Sequence, residues 1–184
     1  MSGEHWLTRM TGETTPVATA SQTVGPFFSF GLTTNAALGR MARPDTAGER
    51  IRLEIRVIDG AGAPVPDAMV EVWHVEKDGK FLFGRLSTDP AGVCSFETVY
   101  PGRAQGAGDA AHVNLCVFMR GLLRHLYTRL YFAGDPSLDT DLVFAAVPPE
   151  RRDTLIARRV EAAAPTWRFD IHLQGDRETV YFDL

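Results

Sequence analysis

The sequence predicts an all-β sandwich, and three observations carry that reading. Stretches of five to nine residues alternate apolar and polar side chains, which puts one face of a strand in a core and the other outside. These stretches are separated by turn-forming clusters such as DGAGAPVPDA at 59–68, Lys77-Asp78-Gly79-Lys80 and Gly175-Asp176. Little of the chain shows helical periodicity, and there is no internal repeat or low-complexity tract, so many short strands must share one core.

Taken in order, residues 1–20 have no periodicity and are expected to form a flexible tail. Residues 21–48 make an arm and loop expected to contact a partner, and 49–184 the sandwich domain. Ser21 to Leu32, SQTVGPFFSFGL, gathers Phe27, Phe28 and Phe30 around Gly25-Pro26 and Gly31. Pro26 fixes its own φ and pushes Gly25 out of the α region, which predicts an extended arm. Its three aromatics either cover the edge of the chain's own sandwich or reach a partner subunit or its ligand.

Ile51 to Ile58 points Ile51, Leu53, Ile55 and Val57 inward and Arg52, Glu54 and Arg56 outward. Met69 to Val75 sets Val70, Val72 and His74 opposite Met69, Glu71, Trp73 and Val75. Phe81 to Leu86 and Gly92 to Val99 are two further strands, and Tyr100-Pro101-Gly102 ends the second. Ala111 to Phe132 is the central hairpin. In it His112, Asn114, Cys116 and Phe118 share one face, while Tyr127, Arg129 and Tyr131 share one face of the return strand. Asp139 to Ala146 suggests a helical turn, and Pro148-Pro149-Glu150 a short helix start. Leu155 to Val160, Trp167 to Leu173 and Thr179 to Phe182 are expected as closing strands.

Composition excludes several classes. The 184 residues are 45% hydrophobic and 23% charged with a net charge of −4, ordinary for one sizeable domain. Of 19 basic residues 17 are arginine, and no basic block exceeds two adjacent residues, which argues against nucleic acid. Arginine suits fixed, bidentate contacts with carboxylates. No apolar run is long enough for a membrane span, and the first residues lack a hydrophobic signal core, so a cytoplasmic protein is expected. Cys94 and Cys116 lie inside expected strands with no metal-binding spacing, and are expected as buried free thiols.

The chemistry points to His112-Val113-Asn114. A His–x–His on a strand would present two imidazoles side by side to a metal, but an amide stands at the second position and is a poor ligand for iron or zinc. His112 is then a lone strand histidine. His74 and His172 are expected to be structural, and Trp73, Trp167 and the phenylalanines to be core. Arg124, His125 and Arg129 suit a subunit interface or a surface ion pair. Ser21 and Thr23 have no nearby base, so neither is a credible nucleophile, and no hydrolase triad is visible.

These stretches resemble the intradiol ring-cleavage dioxygenases. The matching segments are SQTVGPFF at 21–28, RVIDGAGAPVPDAMVEVWHV at 56–75, TDPAGVCSFETVYPG at 88–102 and AHVNLCVFMRGLLRHLYTRLYF at 111–132. ERRDTLIARR and WRFDIHLQGDRETVYFDL match as well. The resemblance implies a β-sandwich within an αβ heteromer whose beta chain holds Fe(III) through two tyrosines and two histidines. At least three of those four ligands are missing here: Asn114 replaces one histidine, no tyrosine follows Tyr100-Pro101-Gly102, and the loop after the Trp73 strand is cut to Glu76–Lys80. The resemblance therefore implies the alpha type of chain, which binds no metal, has no catalytic residue of its own and is inactive alone. Its Thr23, Gly25, Pro26 and Phe27, with Phe27 where the family commonly has tyrosine, would line the pocket over the partner's iron. Arg120 would face the carboxylate of a small aromatic acid that is cleaved with O₂. Without the resemblance, Arg120 is a solvated loop arginine and the chain a stand-alone β-sandwich binding module.

Overall fold

The computed structural model describes residues 18–25, 27–102 and 109–183. Eight strands form where alternation is strongest: β1 (Arg50–Ile58), β2 (Met69–Val75), β3 (Phe81–Ser87), β4 (Val93–Val99), β5 (His112–Phe118), β6 (Leu126–Phe132), β7 (Ile156–Val160) and β8 (Thr166–His172). Their order is β3-β2-β5-β6-β7-β8-β1-β4. Between β6 and β7 only Tyr131↔Ile156 and Phe132↔Ala157 pair, in parallel. That short seam joins two four-stranded halves, which face each other as a sandwich.

The core lies between the halves. Leu53, Ile55 and Phe96 meet Val70, Val72, Val113, Leu115, Leu130 and Phe132 there, with Phe169 and Ile171 completing the layer. These are the inward positions of each alternating strand, so burying them is the main drive to fold. His74 is buried with them, its Nε2 2.7 Å from Thr98 Oγ1. Gly84 lets the β3 edge approach the opposite half. A Cβ there would lie 2.8 Å from Phe96 Cδ1 and 2.9 Å from the Leu38 carbonyl oxygen. Both cysteines are free and buried, and burial pushes the Cys116 thiol up to about 12.

The arm departs from the extended reading. Residues Phe28–Leu32 form a helix, α1, and Ala36–Gly39 a 3₁₀ turn capped by the Asn35 side chain. The phenylalanines are not uniformly core either, since Phe27, Phe30, Phe81 and Phe83 are exposed. The expected last strand is not a strand. Of Thr179–Phe182 only Phe182 forms a bridge, to Tyr127. Side-chain hydroxyls take over the backbone groups that a ladder would use. Thr154 Oγ1 accepts from the Val180 N–H, and Thr128 Oγ1 donates to the Val180 carbonyl. After β6, the 3₁₀ turns Leu138–Thr140 and Pro149–Leu155 and the helix α2 (Leu142–Ala146) fold over its outer face. They bury Tyr131 with Phe144, Val147 and Leu155. Among the described residues no helix is long and apolar enough to cross a membrane.

Candidate functional site

Two regions test the sequence reading: the strand resembling a metal cradle, and the corner where the arm meets the hairpin turn.

At the cradle, the β5–β6 register sets His112 opposite Tyr131 and Asn114 opposite Arg129. Arg129 Nε donates to Asn114 Oδ1 at 3.1 Å, and Arg129 Nη1 to the Tyr131 hydroxyl at 3.3 Å. The Tyr131 hydroxyl donates to Asp141 Oδ1 at 3.0 Å. Asp141 also caps α2 through the Phe144 N–H and accepts the Ala110 N–H on its other oxygen. Burial alone would raise the Asp141 pKa. The two backbone N–H groups, the tyrosine hydroxyl and the Arg129 charge outweigh it and hold the carboxyl below its ordinary value. Tyr131 goes the other way: burial raises its pKa, only partly opposed by Arg129, so it stays a phenol. His112 Nδ1 lies 2.9 Å from the Ala110 carbonyl oxygen. Burial and the Arg129 charge keep this imidazole neutral to lower pH than usual.

These residues do not fit a ferric ion. A fixed guanidinium charge lies between the amide and the phenol, where it repels a cation, and the Tyr131 hydroxyl is already committed to Asp141. Among the described residues no three His, Cys, Asp or Glu side chains converge as a metal group. The shortened loop is tightly closed as well. The Glu76 N–H donates to the Lys80 carbonyl, and the buried Glu76 carboxylate accepts the Ala47 and Lys80 N–H groups. Arg129, expected at an interface or in a surface pair, is thus the centre of an internal network. Its strand position was legible, but its partner Asn114 became apparent only from the β5–β6 register.

At the corner, the structure brings Thr23 beside the turn that carries Arg120. Thr23 Oγ1 accepts the Gly121 N–H at 2.8 Å, so the arm is tied to the β5–β6 turn. Arg120 Nη2 lies 3.6 Å from Asp67 Oδ2, a partner that the sequence reading missed. Gly25 has φ +69°, the left-handed backbone that glycine adopts without cost. Pro26 lies outside the described residues. Gln22, Val24, Phe118, Met119, Leu122 and Leu123 line a hollow of about 110 Å³ beneath the arm. Phe27 and Phe30 do not enter it. Their ring centroids are 6.3 Å apart, and they are 79% and 71% exposed. No residue of α1 is buried. Of the two readings of the arm, covering the chain's own sandwich edge does not hold for these two rings. Nearby, His125 stacks edge-on against Tyr127.

Known proteins match this architecture. A family model described as Dioxygenase matches residues 23–175. The protocatechuate 3,4-dioxygenase alpha chain of Pseudomonas putida is 38% identical, with 90% of this chain and 96% of that one aligned. The alpha chain of Burkholderia cepacia is also 38% identical, over 93% and 100%. The protocatechuate 3,4-dioxygenase beta chain of Burkholderia cepacia is 32% identical over 70% of this chain and 66% of its own length. Among solved structures, the dioxygenase domain of a dioxygenase carbohydrate-binding protein fusion from Streptomyces sp. SirexAA-E superposes with a TM-score of 0.62 at 22% identity. It covers 89% of this chain and 100% of that one, a likeness of fold. This chain belongs to the intradiol ring-cleavage dioxygenase family, and its likeness to protocatechuate 3,4-dioxygenase alpha chains spans nearly its whole length.

Proposed function

We propose that this chain is the pocket-completing alpha subunit of a cytoplasmic protocatechuate 3,4-dioxygenase. In that assembly a homologous beta chain holds Fe(III), and O₂ cleaves 3,4-dihydroxybenzoate between its hydroxyl-bearing carbons to give 3-carboxy-cis,cis-muconate. The observation that supports this best is the arm. A five-residue helix with none of its residues buried, preceded by exposed Phe27 and carrying exposed Phe30, is too short to be stable by itself and presents aromatic area suited to a partner.

The role of this chain is positioning. Arg120, on the turn tied down by Thr23, faces the substrate carboxylate, for which a guanidinium offers paired N–H donors. Gly25 gives the arm its left-handed bend, and Phe27 closes the pocket mouth and excludes water. Phe27 supplies a ring without a hydroxyl, so any polar contact there falls to other groups.

The test is expression of this chain alone and together with its beta chain. The isolated chain is expected to hold no stoichiometric iron and to leave protocatechuate unconsumed, while the co-purified complex turns it over. Iron bound by the chain alone, with a phenolate-to-iron colour, defeats the reading.

A further inference from the structure

We infer that Asp67 is a positioning residue that aims the Arg120 guanidinium into the pocket; this rests on the function proposed above. Asp67 follows Pro66 in the turn between β1 and β2 and has φ +63°. Among the described residues it is the one non-glycine position with positive φ. Positive φ suits glycine best, and aspartate is among the few other residues that adopt it. Glycine would fit this backbone at lower cost, but only an acidic side chain puts a carboxylate here.

What it does is visible in the ladder. Met69 on β2 pairs with Phe118 on β5. Asp67 and Arg120 each lie two residues beyond that pair, so the same register carries them opposite one another on one face. The carboxylate makes no hydrogen bond with its own turn among those described; its contact is Arg120 Nη2, at 3.6 Å. Arg120 is therefore held from two sides, by Asp67 at the guanidinium and by Thr23 at the next peptide N–H. Each edge of the guanidinium pairs an Nη2 N–H with either Nε or Nη1, and the edge turned away from Asp67 keeps such a pair for a substrate carboxylate.

Magnitude decides when this matters. The two side chains are 58% and 64% exposed, so in the isolated chain the pair is worth little. Once a partner subunit covers the corner and water leaves, the same geometry is worth more. The effect of Asp67 is thus expected on substrate binding in the assembled enzyme and not on the stability of the subunit.

The experiment uses the co-expressed complex with Asp67→Asn, Asp67→Gly and Arg120→Ala. KM and kcat are measured for protocatechuate and for catechol, which lacks the carboxylate, and the melting temperature of each isolated chain is recorded. Both Asp67 variants are expected to raise KM for protocatechuate about 3- to 10-fold, with kcat and the KM for catechol within about 2-fold of the parent. Asp67→Gly is also expected to melt no lower than the parent, because glycine adopts positive φ at lower cost. If Arg120→Ala raises KM for protocatechuate selectively while both Asp67 variants match the parent, the role of Asp67 is overturned and the pocket reading stands. If Arg120→Ala affects both substrates equally, the carboxylate reading falls and the inference with it.

Discussion

Arg129 Nε donates to Asn114 Oδ1 at 3.1 Å, cross-strand partners in the β5–β6 ladder. In a strand resembling a metal cradle, the positive charge is thus a protein side chain. Asn114 and Tyr131 contact the guanidinium directly, and Asp141 feels its charge. The pairing also accounts for the amide. An amide oxygen accepts the guanidinium N–H and stays neutral at every pH, whereas an imidazole there could accept it only while unprotonated.

Arg129→Ala should therefore loosen the whole network. Asn114 and Tyr131 each lose a donor, and Asp141 loses a nearby cation while keeping its backbone N–H groups. The expected loss is about 1–3 kcal/mol in urea unfolding. His112 provides an independent readout. Burial and then the Arg129 charge hold its pKa down, so removing the charge should move the NMR titration of His112 up toward its ordinary value. A titration curve identical to the parent's would show that the guanidinium does not act on this imidazole.

Stability should also fall on mild acidification. Burial lowers the pKa of His74 from its ordinary value, the Val75 carbonyl partly opposes this, and the neighbouring charge of His112 lowers it further against a weaker pull from Glu76. Its folded pKa therefore lies below its unfolded one. As pH drops below about 6.5 the unfolded chain takes up the proton first. The contribution of neutral His74 is complete above that pH and declines as pH falls toward the folded pKa. His112 and His172 are lowered too and act in the same direction. The group-specific measurement is the difference between the parent and His74→Gln. The advantage of the parent in urea midpoint should shrink from pH 7 to pH 5, and a gap that widens on acidification contradicts the sign.

Most strands were legible because their alternation matches burial. In β1, Leu53, Ile55 and Val57 are fully buried and alternate with exposed Arg52 and Arg56 and half-buried Glu54, as the pattern predicts. The arm was not legible. A helix with no buried face has no apolar period to read, and Gly25-Pro26 signalled extension. Thr179–Phe182 misled for the opposite reason: its composition favours a strand, but the hydroxyls of Thr154 and Thr128 compete for its backbone groups. At the site, Thr23 and Arg120 were singled out one at a time. Asp67 is found only by extending the β2–β5 register past Met69, and a single strand pattern does not contain that information.

Gly84 tests how tightly the sandwich closes. A Cβ there would meet Phe96 Cδ1, Met41 Cγ and the Leu38 carbonyl oxygen, all within 2.9 Å. The phenylalanine ring and the backbone oxygen have little room to retreat, so Gly84→Ala should cost about 1–3 kcal/mol through overpacking. Combining it with Phe96→Leu should recover part of the loss, because the two sites share one contact. Additive losses in denaturant melts would place the strain elsewhere.

The aromatic arm separates assembly from folding. Phe27 and Phe30 are mostly exposed and α1 buries none of its residues, so the isolated chain gains little from either ring. Phe27→Ser with Phe30→Ser should leave its melting temperature nearly unchanged, since exposed substitutions cost within about 0.5 kcal/mol. The same pair should weaken association with the beta chain, because aromatic anchors at an interface are worth about 2 kcal/mol or more each when truncated. Analytical ultracentrifugation of the mixed chains should show the doubly substituted complex dissociating at concentrations where the parent holds together. Phe27→Tyr, which keeps the ring and adds a hydroxyl, should assemble like the parent. If the double variant assembles as tightly as the parent, the arm does not seat on the partner, and the exposed rings need another occupant.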